Sequence, residues 1–224
     1  MSCDECGFDP TDWEPRDGQR ILRHADRWLE EIGPGSIPDT ADLHDVQHTM
    51  WRAGRERWSG TPTRHGQVER LHTSGGGVPK TAVPQAICGR RGFAGDRCDD
   101  RDNHGSPLQA LCLWSAEVIE ALQDEGHPIG PGLAGENLTV RGLDWAEQVA
   151  PGQRWTIGPV RVETTAWAVP CSKNARWFAG GDFRRMSQPL HPGWSRIYAR
   201  VLRPGEISVG DQVSVEPDEA GWVA

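Results

Sequence analysis

Two kinds of hydrophobic spacing divide this chain. From Pro15 to Ile32 the apolar residues Ile21, Leu22, Ala25, Trp28, Leu29 and Ile32 recur at helical intervals, and "GPGSIP" then breaks the run, which predicts a helix. A second predicted helix begins near Asp39 or Thr40 and reaches about Arg57, with Leu43, Val46 and Met50 on its apolar face. Two helices cannot close a bundle alone, so they are expected to pack on the remainder of the chain. From Gly66 onward the period shortens to alternation, in "QVERLHT", "TAVPQAIC", "QALCLWS", "ENLTVR", "QRWTIG", "VRVETTAWAV", "SRIYARVL" and "DQVSVEP". Glycines and prolines separate these runs, and that density predicts a closed or sandwich-like antiparallel structure. One helix interrupts it, "SAEVIEALQDEG", with Ser115 as N-cap and Val118, Ile119 and Leu122 facing inward.

Length and composition narrow the setting. With 224 residues the chain suits one large domain, or a medium one with an appendage. Hydrophobic residues make up 36% and charged residues 25%, with no apolar run of bilayer length, so a soluble protein without a membrane partner is expected. The start "MSCDECGFDP" lacks the basic-then-apolar pattern of a leader and reads as cytoplasmic. A formal charge of -8 argues against nucleic acid as a partner, while leaving room for a local basic pocket that holds an anion.

Six cysteines in such a chain read as reduced thiols rather than a disulfide framework. Cys3 and Cys6 form half of a zinc-type pair, and no second C-x-x-C completes it. His44 and His48 lie four apart on the second predicted helix and share a face, where His24 could join them around zinc. Without the glutamate of H-E-x-x-H, the reading preferred for them is surface or helix-packing histidines.

Three glycine-marked loops and one cysteine carry the candidate chemistry. "SGGGVPK" at 74–80 ends a strand and presents Lys80. "GDRCDDRDNHG" at 95–105 gathers Arg97, Arg101 and His104 with carboxylates, an arrangement able to meet an anion with cations and backbone N–H groups. "GPGLAGENLTVRG" at 130–142 brings glycines up to Glu136 and Asn137, suited to tight turns or to close approach by a ligand. In "ETTAWAVPCSKNARWF", Cys171 stands just ahead of Lys173 and Arg176, whose charge favours a thiolate. Residue chemistry alone leaves Cys171 open between nucleophile, soft-metal ligand and buried small residue.

As an ordered set, these pieces resemble the MOSC family, named for the C-terminal domain of molybdenum cofactor sulfurase. The resemblance rests on "GGGVPK", "GDRCDDRDNHG", "QALCLWSAEVIEAL", "GENLTVRGLDW", "PCSKN" and the closing "GDQVSV", and spans roughly residues 66–217. It implies a mainly β fold, a MOSC-type β-barrel with a few helices; the predicted helices before it make residues 1–62 a short helical segment, read with the DinB-like resemblance below as a remnant. It also implies a molybdenum cofactor of the molybdopterin type, with Cys171 as the molybdenum ligand. Lys80, Arg97, Lys173 and Asn137 are then expected to hold the cofactor's phosphate and pterin, and His104 to orient substrate or cofactor. One departure is Ser106, in "HGSP", where the family commonly carries a second glycine. The first 60 or so residues more faintly resemble DinB-like proteins, in "CDECGFD" and "LHDVQHTMWRAGR".

The branch that looks closest includes reductases of N-hydroxylated bases, which implies oxygen removal from an N–O group of a small molecule. The chain has neither a strand followed by G-x-G-x-x-G nor a cysteine run for an iron–sulfur cluster, so a separate electron-donor reductase is expected. A rival reading keeps the domain without the metal, with Cys171 as a persulfide-bearing or C–S-cleaving nucleophile, or as part of a sulfur or cofactor carrier.

Overall fold

The computed structural model describes residues 45, 46, 48, 49, 52, 63–100 and 104–216. The predicted first helix, the Cys3/Cys6 pair, His24 and His44 lie outside them. Within the second predicted helix, residues 45, 46, 48, 49 and 52 are helical and Val46 is fully buried.

The predicted alternation becomes a barrel. Its strands are β1 (Arg64–Thr73), β5 (Leu111–Ser115), β6 (Leu138–Arg141), β7 (Arg154–Ile157), β8 (Val160–Trp167), β9 (Ile197–Arg203) and β11 (Gln212–Glu216). They pair in the order β11-β7-β8-β9-β5-β6-β1, and β1 pairs back onto β11 from Arg64↔Val215 to Gln67↔Gln212. Closure removes the open edges that would otherwise invite pairing with another chain. β2 (Thr81–Val83) extends β1, while β3 (Gln85–Gly89), β4 (Gly92–Phe93) and β10 (Gly205–Ser208) form a small second sheet. Pro84 divides β2 from β3, because proline has no N–H to give a ladder.

Successive side chains on a strand point to opposite faces, so alternate residues share the interior. Leu111 and Leu113, Leu138 and Val140, Trp155 and Ile157, Val160 and Val162, and Val213 and Val215 are all buried in one core. Each such side chain contributes about 1.5–3 kcal/mol when taken from water. On the opposite face Arg154, Glu163 and Arg200 stand directly across β7, β8 and β9; Arg200 Nε donates to Glu163 at 2.9 Å and Arg154 lies 3.5 Å from it.

One pairing departs from the antiparallel expectation: β5 and β6 run parallel. Helix α1 (Ala116–Asp124) lies between them in sequence and carries the chain back, as parallel neighbours require. Ser115 caps α1, its hydroxyl accepting from Val118 N at 3.2 Å, and Ala116, Ile119 and Leu122 are buried while Val118 is half-buried. A second short helix, α2 (Trp145–Gln148), is capped by Asp144. The loop ends left by this barrel gather on one side of β5 and β9.

Candidate functional site

The floor of the site follows from strand parity. Cys112 on β5 and Tyr198 on β9 are register partners, and both face away from the interior that Leu111, Leu113 and Ala199 fill. Around that floor the loops 77–80, 89–100, 104–110, 134–137 and 169–174 enclose a cleft of about 710 Å3. The six residues singled out from the sequence, Lys80, Arg97, His104, Asn137, Cys171 and Lys173, all line it.

They contribute differently. Cys171 is half-buried and opens a 3-10 turn, Ser172–Trp177, in which its carbonyl accepts from Asn174 N at 2.9 Å. Arg176 Nη2 donates to the Val78 carbonyl at 2.7 Å, which ties this turn to the glycine loop opposite. Lys173 and Arg97 are at the rim, and both are exposed. Lys80 turns to Asp96 and pairs with its carboxylate, both side chains being largely enclosed.

Asn137 lines the cleft and is bonded within its wall. Its Oδ1 accepts from Cys112 N at 3.1 Å, and its Nδ2 donates to Asp96 Oδ2 at 2.8 Å and to the His72 carbonyl at 3.3 Å. Both Nδ2 hydrogens are therefore engaged within the framework, and the amide fixes Asp96. Asp96 also accepts from Ser74 N at 2.7 Å, so a single carboxylate joins two glycine loops, Lys80 and the start of β6.

His104 Nδ1 and the Tyr198 hydroxyl lie 3.3 Å apart. Burial pushes the tyrosine up and the histidine down, so both are neutral near pH 7. Two more thiols share the cleft: burial pushes Cys112 up to about 11 and also raises Cys98. Among the described residues that line the cleft, the cations Lys80, Arg90, Arg91, Arg97, Lys173 and Arg196 outnumber the carboxylates Asp96, Asp99 and Asp100, so this lining is cationic in an acidic protein. Among the described residues, no group of three His, Cys, Asp or Glu is set to hold a metal ion by itself. His48 is helical and half-buried. No helix among the described residues is long and apolar enough to cross a membrane.

The sequence reading missed Asp96, Cys112, Asn174, Arg196 and Tyr198. The signal for two of them was present in "SRIYARVL", where Arg196, Tyr198 and Arg200 alternate with Ile197, Ala199 and Val201, so that one face of β9 is polar.

Backbone geometry also shapes the wall. At Gly135, with φ of +93°, a Cβ would lie 2.8 Å from Val78 Cγ1, so only glycine lets these two loops meet.

Comparison with known proteins is consistent with this geometry. A family model for the MOSC domain matches residues 100–214. The Bacillus subtilis protein YflK is 30% identical over 162 residues, covering 70% of this chain and 72% of YflK. The solved structure of YiiM from Geobacillus stearothermophilus is similar with a TM-score of 0.53 and 22% identity, over 73% of this chain and 80% of that one. YiiM from Escherichia coli gives a TM-score of 0.52 and 21% identity, over 70% and 73% of the two chains. The DinB-like resemblance of the first 60 residues falls outside the matched region.

Proposed function

Because the chain belongs to the MOSC domain family, we propose that it is a molybdenum-cofactor-dependent oxidoreductase that removes oxygen from N-hydroxylated small molecules, with Cys171 as the molybdenum ligand. The observation that carries this reading is the position of Cys171 in the wall of a large cleft whose lining holds more cations than carboxylates. A thiolate suits a soft metal centre, and cations suit a phosphate. Gly135, which has no side chain, lets Val78 pack closely beside it in the cleft wall. The donor set thus fits a molybdopterin-type group, with Cys171 to hold the metal and Arg97 and Lys173 to meet the phosphate at the rim.

When bound, that group supplies two-electron chemistry, while the protein supplies binding and electrostatics. Overall, an N-hydroxylamine takes two electrons and two protons and leaves as an amine and water. The electrons come from a separate donor protein. The Tyr198–His104 pair can hold a proton within the cleft, since a neutral phenol and a neutral imidazole share one hydrogen bond there. Lys80 is neutralised by Asp96 and fixes the loop rather than serving as an acid.

One observation favours a second reading, in which sulfur passes through Cys171: Cys98 lines the same cleft and could receive it. Mass spectrometry after mild persulfide loading separates the two, since a persulfide on Cys171 that moves to Cys98 supports sulfur transfer. Anaerobic assay of the loaded protein with a reduced viologen dye and an N-hydroxylated base tests the first: dye oxidation matched by amine formation supports it, and dye oxidation without amine contradicts it.

A further inference from the structure

Two buried side chains in the cleft wall keep hydrogen-bonding capacity that the protein leaves unused. Arg196, 6% exposed, donates Nη1 to the Ala134 carbonyl, while its Nε has no partner. Asn174, 2% exposed, has no donor to its Oδ1. Both line the same cleft as Cys171, whereas the orphaned His72 Nδ1 belongs to a residue lining a separate, smaller cavity of about 430 Å3. Buried polar atoms are nearly always paired, so two of opposite character in the wall of one cleft are best satisfied by what enters it. The buried Glu136 feels the charge of Arg196, while Arg196 Nε itself stays without a hydrogen-bond acceptor.

The requirement is chemically selective. Arg196 Nε can only donate and needs a carbonyl, ring-nitrogen or anionic acceptor; Asn174 Oδ1 can only accept and needs an N–H. A phosphate satisfies the first and repels the second. A hydrocarbon satisfies neither. We propose that Arg196 and Asn174 read a heterocycle edge bearing both a carbonyl and an N–H, the lactam of an oxopteridine or oxopurine, with the carbonyl at Arg196 and the N–H at Asn174. This deepens the reading above and rests on it only in placing a heterocycle in the cleft. The lactam belongs either to the pterin of the cofactor or to the base of the substrate; the recognition chemistry is the same.

Fluorescence titration of cofactor-free protein with pterin (2-amino-4-oxopteridine) and with 2,4-diaminopteridine, whose edge reverses the donor and acceptor, tests it. The wild type is expected to prefer pterin by about tenfold or more, as sites built around buried hydrogen bonds do. Asn174→Leu and Arg196→Met lose that preference, while Asn174→Asp, which keeps an acceptor, retains it; melting curves confirm that each variant is folded. Equal binding of the two pteridines, or a preference that survives Asn174→Leu, overturns the proposal. In protein from a cofactor-competent host, a fall in bound pterin assigns the lactam to the cofactor. Retained pterin with a raised KM for an N-hydroxylated oxopurine assigns it to the substrate, and no change in either overturns the proposal. Lactam preference without molybdenum on the protein would remove the reductase reading and leave this inference, and molybdenum retained at Cys171 without lactam preference would do the reverse.

Discussion

Asn137 Nδ2 donates to Asp96 Oδ2 at 2.8 Å, and this one bond joins the barrel framework to the cationic wall of the cleft. The same amide also serves Cys112 N and the His72 carbonyl. Asn137→Leu, similar in size but apolar, therefore leaves a backbone N–H, a carbonyl and part of a carboxylate unmet in a buried place. Chemical denaturation is expected to report a loss of about 1–3 kcal/mol, together with weaker ligand binding in the cleft.

Gly135 allows a close crossing that no other residue permits. Gly135→Ala places a Cβ at 2.8 Å from Val78 Cγ1 and in a backbone region unfavourable to L-residues. The expected cost is about 1–3 kcal/mol in the same denaturation assay. Val78→Ala in the Gly135→Ala background should restore part of that loss by removing the clash, leaving the backbone strain.

Two buried groups set opposing pH dependences. Burial raises Glu136 from 4.5 to about 7, so its folded form binds the extra proton, and its contribution to stability is present below pH 4.5 and lost as pH rises through 7. Burial lowers His72 from 6.5 to about 4, so its contribution is present above pH 6.5 and lost as pH falls through 4. Between about pH 4.5 and 6.5 the two slopes oppose each other. Glu136→Gln should expose the histidine's slope, with stability falling on acidification, and His72→Gln should expose the glutamate's, with stability rising. Urea midpoints measured across about pH 4 to 8 check both signs, and the same slope in the two variants would refute the assignment.

Tyr198→Phe removes the hydroxyl that meets His104 without removing its ring. Under the reductase reading, kcat is expected to fall by about 10- to 100-fold with KM little changed. Steady-state rates over a pH series check this, since loss of the relay should also change the shape of the profile. An unchanged kcat would remove the pair from proton delivery.

Much of the barrel was legible because alternation reports burial directly. The runs "QALCLWS" and "VRVETTAWAV", read as strands, supply Leu111, Leu113, Val160 and Val162 to the core, and Ser115 caps α1 as its place in the sequence predicts. β4 and β10 escaped notice because Gly92–Phe93 and Gly205–Ser208 are too short and glycine-marked to show a period. The parallel β5–β6 pair escaped because periodicity is blind to strand direction. At the site, loops with glycine and cations could be recognised from composition, whereas Asp96 and Asn137 owe their importance to a contact between positions 41 residues apart in the chain. Local spacing carries no trace of such contacts. Asn174 and Arg196 stand out only once burial has left them with unpaired polar atoms.

The central claim is that Cys171 binds molybdenum in this cleft. Elemental analysis of wild type and Cys171→Ser, both purified from a host that makes the cofactor, tests it most directly. The account predicts stoichiometric molybdenum with bound pterin in the wild type, and loss of the metal together with activity in Cys171→Ser. Full reductase activity in protein free of molybdenum, or undiminished molybdenum in Cys171→Ser, would contradict it.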